Sequence, residues 1–175
     1  MSELLPKLAN PIIDPEGIIL TNSHVIPAGN EEEITCLVLL PDPTTGEAKE
    51  IYHTEVVRYP ILSEMYDLAM LVISGVFTDE SGKQHGEFPK TFPAIGDYSC
   101  TGADEPIKLG EKVRFYGYPI ASGGFNLTVT EGVVSTLLTD EKLILTSAKV
   151  DEGNSGGLAV DEGGCMIGIP SSVSE

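Results

Sequence analysis

Gly153-Asn154-Ser155-Gly156-Gly157 is the stretch from which the rest of the chain is best read. Glycines on both sides of a serine permit backbone conformations that expose its hydroxyl, and they leave room for N–H groups to converge on one small space. Such donors stabilise the oxyanion that forms when a serine attacks a carbonyl. Taken alone, the same residues also describe a Gly-rich turn with a passive serine. They fit G-x-S-x-G as well, the strand-to-helix elbow in which the acid and the His follow the Ser. Here 20 residues follow Ser155, none of them His, and a βαβ alternation is missing. An order of Asp, His, Ser would need Asp14, ten residues before His24 and one turn away, together with helical layers that the sequence lacks. The order that remains is His, Asp, Ser.

Working outward, the chain has only three histidines. His53 sits in a polar stretch entering a strand and His85 in a hydrophilic segment, so both read as solvated bystanders. His24 differs, because it closes the run Gly17-Ile18-Ile19-Leu20-Thr21-Asn22-Ser23, a buried strand ending in a polar turn. A titratable ring at the end of a buried strand is where a scaffold can fix a general base. Among the acids, Asp67 leads into the apolar run Leu68-Ala69-Met70-Leu71-Val72-Ile73 and is expected to be partly desolvated. A carboxylate in that position needs a partner, and an imidazole N–H is a suitable one. Capping a turn is the plainer role for Asp67.

The composition bounds the function. With 175 residues the chain suits one domain or two small lobes, and it is long enough to hold a core without disulfides or metal. Ten basic residues against 27 acidic ones give a net charge of −17, which argues against nucleic-acid partners. No stretch approaches the roughly 20 apolar residues of a membrane span, so membrane insertion is not expected. The N-terminus lacks the pattern of a signal peptide, so the chain as it stands reads as cytoplasmic, or as extracytoplasmic if it is a fragment of an exported protein. Cys36, Cys100 and Cys165 are odd in number and widely spaced, which reads as three small apolar core residues, with neither a disulfide framework nor a zinc site. No metal or other cofactor is implied. Asn126-Leu127-Thr128 matches a glycosylation sequon and is read as chance, with the Thr belonging to a strand.

The apolar runs are short and bounded by turns. Candidate strands are Gly17–Thr21, Ile34–Leu40, Ile51–Arg58, Leu68–Ile73, Lys112–Tyr118, Phe125–Thr136, Lys142–Lys149, Gly157–Val160 and Cys165–Ile169. Ile34, Cys36, Val38 and Leu40 alternate with Thr35, Leu37 and Leu39 on the opposite face. Many short strands with few helical periods predict an all-β fold. The polar stretch Ser74–Gly110, with one apolar patch at Phe92–Ile95, divides the chain. The expected organisation is a first lobe over 1–75, a connection over 76–107 and a second lobe over 108–175.

The chain resembles the trypsin-like serine proteases, and within them the bacterial HtrA/Deg branch. The residues that carry this are Leu20-Thr21-Asn22-Ser23-His24-Val25-Ile26, Asp67-Leu68-Ala69-Met70-Leu71 and Gly153-Asn154-Ser155-Gly156-Gly157. Gly110-Glu111-Lys112-Val113 through Gly117-Tyr118-Pro119, Thr128 through Ser135, and Ile167-Gly168-Ile169 also match, so the likeness runs from about Ile12 to Ile169. The resemblance implies two six-stranded-type antiparallel β-barrels with the site between them. It implies Ser155 as nucleophile, His24 as general base and Asp67 holding the imidazole in the right tautomer. The N–H groups of Gly153 and Ser155, with Asn154, would form the oxyanion hole. Where the digestive branch has an Asp before the Ser, this chain has Asn154, so activation by an ion pair with a new N-terminus is not expected. An extended or unfolded polypeptide would add as a strand beside Pro170, Ser171, Ser172 and Val173. The pocket base falls at Lys149, which would favour an acidic side chain at the cleavage site; the other reading has Lys149 reaching to solvent.

Against the family pattern the chain is short at both ends. The first strand of the first barrel is expected to be missing unless Ser2–Leu8 replaces it, and the last strand and C-terminal helix are not accommodated after Ser155. Open barrel edges would then promote self-association. Two functions follow: a serine endopeptidase, or a shortened protease-like domain that binds peptides or a partner without turnover.

Overall fold

A computed structural model describes residues 7–8, 11–26, 36–57, 66–95, 106–124, 126–151 and 153–171. Eleven strands follow one another in these segments. The first lobe holds β1 (Lys7–Leu8), β2 (Ile12–Asp14), β3 (Ile18–Asn22), β4 (Cys36–Pro41), β5 (Ala48–Val57) and β6 (Leu68–Val76). The second holds β7 (Lys112–Gly117), β8 (Thr128–Leu138), β9 (Leu143–Thr146), β10 (Leu158–Asp161) and β11 (Met166–Gly168). The first sheet runs β1-β4-β5-β6-β3-β2 and the second β11-β10-β7-β8-β9. Five strands of each sheet are joined antiparallel, and only the short β1 pairs parallel, with β4. The expected six-stranded-type barrels are thus two curled half-barrels. β9 and β11 stand at the edges of the second.

The alternation read along residues 34–40 explains how one strand serves two apolar clusters. Cys36 and Val38 are buried with Ile19, Tyr52, Leu71 and Ile73 in the core of the first lobe. Leu37 and Leu39 point the other way and pack with Ile51 and Tyr118. Tyr118 follows β7, so this second cluster is the apolar contact between the lobes. A strand buried on both faces loses its polar side, which is why the run Cys-Leu-Val-Leu-Leu has none. Residue 34 lies outside the described residues.

The second lobe closes over Val113, Phe115, Val134 and Ala159. In β7, Val113, Phe115 and Gly117 are buried while Lys112 is exposed and Arg114 and Tyr116 are half-buried, the period of two expected of a half-buried strand. On its outer side Arg114 Nε meets Glu131 Oε1 at 2.7 Å across the β7–β8 register.

The apolar patch in the polar connection packs on the first lobe. The Phe92 N–H donates to the Pro15 carbonyl at 2.9 Å, and Phe92 and Ala94 are part of the first-lobe core. The Phe92 ring meets Tyr52 edge-on, with centroids 5.4 Å apart. Burying such a ring contributes about 2–3 kcal/mol, enough to hold this part of the connection against the first sheet.

The two lobes are also joined by backbone. The Leu127 N–H donates to the Gly46 carbonyl at 2.9 Å, beside a bridge between Glu47 and Asn126. Elsewhere Lys142 Nζ reaches the Tyr66 hydroxyl at 3.2 Å. No helix among the described residues is long and apolar enough to cross a membrane.

The cysteines depart from the sequence reading. Cys36 is a free, buried thiol, and burial pushes its pKa up to about 11. Cys165 is disulfide-bonded, not a small core residue. Its partner is not Cys36 and lies outside the described residues, as does Cys100.

Candidate active site

β3 ends at Asn22, and the chain turns through a single 3-10 turn, Ser23–Val25. This turn carries His24 at the surface, directly opposite the start of β6, since Asn22 pairs with Leu68 in the β3–β6 ladder. Asp67 precedes that ladder with φ of 51°, the left-handed region that a side chain enters at a cost of about 1 kcal/mol. The strain is met by hydrogen bonds. The Asp67 carbonyl accepts from the Ser23 N–H at 2.9 Å and from Asn22 Nδ2 at 3.2 Å. Its carboxylate turns back over the 3-10 turn. Oδ1 accepts from Ser23 Oγ at 2.6 Å and from the His24 N–H at 3.0 Å. Oδ2 lies 2.7 Å from His24 Nδ1.

This geometry fixes the tautomer. A carboxylate oxygen can only accept, so Nδ1 carries a proton, and in the neutral ring Nε2 is left with the lone pair. Burial is the largest single influence on Asp67 and pushes its pKa up. The bonds from Ser23 and from the His24 ring and backbone, with the imidazole charge, outweigh it and leave the carboxyl below its ordinary value. The pair is not deeply buried: 45% of the His24 side chain and 42% of the Asp67 side chain are exposed. Asp67 thus both caps the turn and meets the His24 ring.

The Gly-rich stretch comes from the other lobe. Ser155 and Asn154 are buried in the turn that leads to β10. The Gly156 N–H donates to Asn22 Oδ1 at 2.7 Å and to the Pro170 carbonyl at 3.1 Å. The residue beside Ser155 is therefore tied to the strand end that carries His24. Gly153 has φ of 93°, and a Cβ there would press on the Ile120 nitrogen at 2.9 Å and the Tyr118 carbonyl at 3.1 Å. Only glycine fits that position.

Several of the expected site residues have other partners here. The Asn154 N–H, expected at the oxyanion hole, donates to the Asp151 carbonyl at 3.0 Å. The Asn154 side chain packs instead against Gly117, where a Cβ would collide with Oδ1. Lys149, placed at the pocket base by the family resemblance, reaches to solvent. Its side chain is 79% exposed, and Nζ sits 3.0 Å from Asp151 Oδ2. Pro170 is buried with its carbonyl turned to Gly156, while Ser171 is exposed. Ser172 and Val173 lie outside the described residues.

The remaining histidines are not loose in solvent. His85 Nε2 pairs with Asp79 at 2.9 Å, and His53 is half-buried beside Phe77, with Nδ1 buried and lacking a partner among the described residues. Among the described residues no group of His, Cys, Asp and Glu is disposed to hold a metal ion. Sequence reasoning passed over Ser23 and Asn22. Both stood in the motif around His24, and their polarity at the end of a buried strand was the available signal.

Comparison with known proteins gives the following. The model of the trypsin-like peptidase domain matches residues 12–169. The magnetosome formation protease MamE of Paramagnetospirillum magneticum is 25% identical over 97% of this chain and 22% of its own length. A probable periplasmic serine endoprotease, DegP-like, of Brucella suis is 30% identical over 93% of this chain and 26% of its own. A DegP-like protein of Pseudomonas savastanoi pv. phaseolicola is 32% identical over 93% of this chain and 28% of its own. The chain thus spans about a quarter of the length of these relatives. The solved structure of the HtrA-type protease AlgW with decapeptide superposes with a TM-score of 0.58 at 25% identity, covering 94% of this chain and 42% of that one. The fold is the chymotrypsin-like one.

Proposed function

The chain belongs to the trypsin-like peptidase family, and from that premise we propose that it is a serine endopeptidase working through His24, Asp67 and Ser155. The observation that carries the reading is the 2.7 Å contact between His24 Nδ1 and Asp67 Oδ2, which leaves Nε2 as the base. In this reaction Ser155 Oγ attacks the scissile carbonyl as Nε2 takes its proton. The carbonyl oxygen becomes an oxyanion that the N–H groups of Gly153 and Ser155 stabilise. As the tetrahedral intermediate collapses, His24 returns the proton to the leaving amine. Water then repeats the sequence on the acyl-enzyme. Asp67 keeps the ring oriented and stabilises the imidazolium without taking the proton.

The substrate is an extended or unfolded polypeptide lying beside Ser171, a reading supported by the decapeptide in the AlgW structure. Self-association through the edges at β9 and β11 belongs to the same reading. An extracytoplasmic compartment is favoured by the disulfide at Cys165, because such bonds persist in oxidising surroundings.

The test is labelling with a fluorophosphonate, which captures only an activated serine. Wild type should label, while Ser155→Ala and His24→Ala should not, and Ser155→Ala should lower peptide turnover by about 10⁵- to 10⁶-fold with substrate binding retained. Absence of labelling in folded wild type, with peptide still bound, would replace the enzyme by a binding domain.

A further inference from the structure

The His24–Asp67 pair and the Ser155 turn belong to different lobes, so their separation is set by whatever fastens one lobe to the other at that point. The side chain of Asn22 is one fastening there. Asn22 is 2% exposed and ends β3. Its Oδ1 accepts from the Gly156 N–H at 2.7 Å, and its Nδ2 donates to the Asp67 carbonyl at 3.2 Å. One amide plane thus holds the backbone of the acid on one side and the backbone of the residue after Ser155 on the other. The chemistry allows no other assignment of the amide, because one neighbour is a donor and the other an acceptor.

We infer that Asn22 is a positioning residue, a clasp that sets the reach of His24 to Ser155 by fixing Asp67 and Gly156 to the same side chain. This rests on the serine-peptidase reading for its effect on rate, though not for its effect on the lobes. Two features make the clasp effective. It is buried, so water does not substitute for either bond, and a buried group robbed of its partner is costly. It also acts on backbone atoms, which leaves the Asp67 carboxylate for Ser23 and His24. Leu127 to Gly46 and Lys142 to Tyr66 also join the lobes, on residues outside the Ser155 turn.

Asn22→Ala removes both bonds, whereas Asn22→Asp keeps an acceptor for Gly156 and loses the donor to Asp67. The first readout is the fluorophosphonate reaction, resolved into its maximal rate and half-saturating concentration. The second is hydrogen exchange of the Gly156 amide, with the amides of Ile19 and Leu71 as reporters of the intact first sheet. For Asn22→Ala the maximal rate should fall about 10- to 100-fold. Half-saturation should stay within about 2-fold, and Gly156, left with the longer 3.1 Å bond to the Pro170 carbonyl, should exchange faster while Ile19 and Leu71 are unchanged. Asn22→Asp should slow labelling with Gly156 still protected, and it serves alone if the alanine variant does not fold. Labelling at the wild-type rate in either variant, or unchanged Gly156 exchange in Asn22→Ala, overturns the clasp. If folded wild type does not label, the peptidase reading fails by itself. The clasp is then judged on Gly156 exchange, faster exchange upholding it and unchanged exchange refuting it.

Discussion

Ser23 Oγ lies 2.6 Å from Asp67 Oδ1, so the hydroxyl next to His24 binds the carboxylate oxygen that the imidazole does not use. With Oδ1 held by Ser23 and the His24 N–H, rotation of the carboxylate is restricted and Oδ2 stays aimed at Nδ1. Removing that hydroxyl costs one charge-assisted hydrogen bond, about 1–2 kcal/mol. Ser23→Ala should therefore lower kcat/KM about 5- to 30-fold, while Ser23→Thr, which keeps the hydroxyl, should retain most of it. Equal turnover of wild type and Ser23→Ala on an unfolded protein substrate would show the bond to be incidental.

Acid should weaken the fold in a defined window. Asp79 accepts from Ser81 Oγ, from the His85 ring and from the Lys83 and Ser81 N–H groups, which hold its carboxyl far below the usual range. Asp42, bound by the Thr44 and Thr45 N–H groups, and Asp67 are lowered too. Between their folded and unfolded values, the unfolded chain binds more protons, so stability rises with pH. The contribution is complete above the ordinary carboxylate value of about 4 and is lost as pH falls through the folded values. The net charge of −17 relaxes in the same window and works the other way. The informative quantity is therefore the difference in urea midpoint between wild type and Asp79→Asn, which should shrink from pH 6 toward pH 3. A difference that does not change with pH removes Asp79 from the account.

Much of this arrangement was legible along the chain where the signal was local. The alternation around Val38 assigned both faces of β4, and the apolar run after Asp67 located β6. Features that depend on distant partners were not legible. Whether Asn22 and Ser23 have partners turns on the left-handed backbone at Asp67, 45 residues away from Asn22, which no periodicity encodes. For Lys149 the sequence left two readings open, a pocket base by family resemblance or a side chain reaching to solvent, and the Asp151 carboxylate two residues on, which holds it at the surface, has no periodic signal. Phe92 looked like an isolated patch because the Pro15 carbonyl that receives its N–H lies far back in the sequence. An odd cysteine count argued against a disulfide framework, although a single bond needs only two of the three.

Tyr118 offers a test of the contact between lobes. The residue is 4% exposed, packed with Leu37, Leu39 and Ile51, and its hydroxyl is buried without a partner among the described residues. Burial pushes its pKa up to about 12. Because the hydroxyl is desolvated without a hydrogen bond in return, Tyr118→Phe should be neutral or stabilising by about 0.5–1 kcal/mol. Tyr118→Ala empties the cluster and should cost about 3–5 kcal/mol. Urea unfolding of the three proteins decides it, and a phenylalanine variant less stable than wild type by more than 1 kcal/mol would mean that the hydroxyl has a partner.

The disulfide at Cys165 makes the last prediction. Cys165 stands where the turn after β10 leads into β11, and its N–H donates to Asp161 Oδ1 at 2.8 Å. β10 lies between β11 and β7 in the sheet and follows directly on the Ser155 turn. Cross-linking a chain at such a point constrains its unfolded state, typically by about 2–4 kcal/mol. Protein prepared under oxidising conditions and then denatured without reductant should give fewer thiols than the three it gives after reduction, with Cys36 among those that react. Reduction of the folded protein should lower its urea midpoint, and Cys165→Ser should reproduce the reduced value. Three reactive thiols before reduction would show that the bond does not form under those conditions, and with it would go the support for an oxidising compartment.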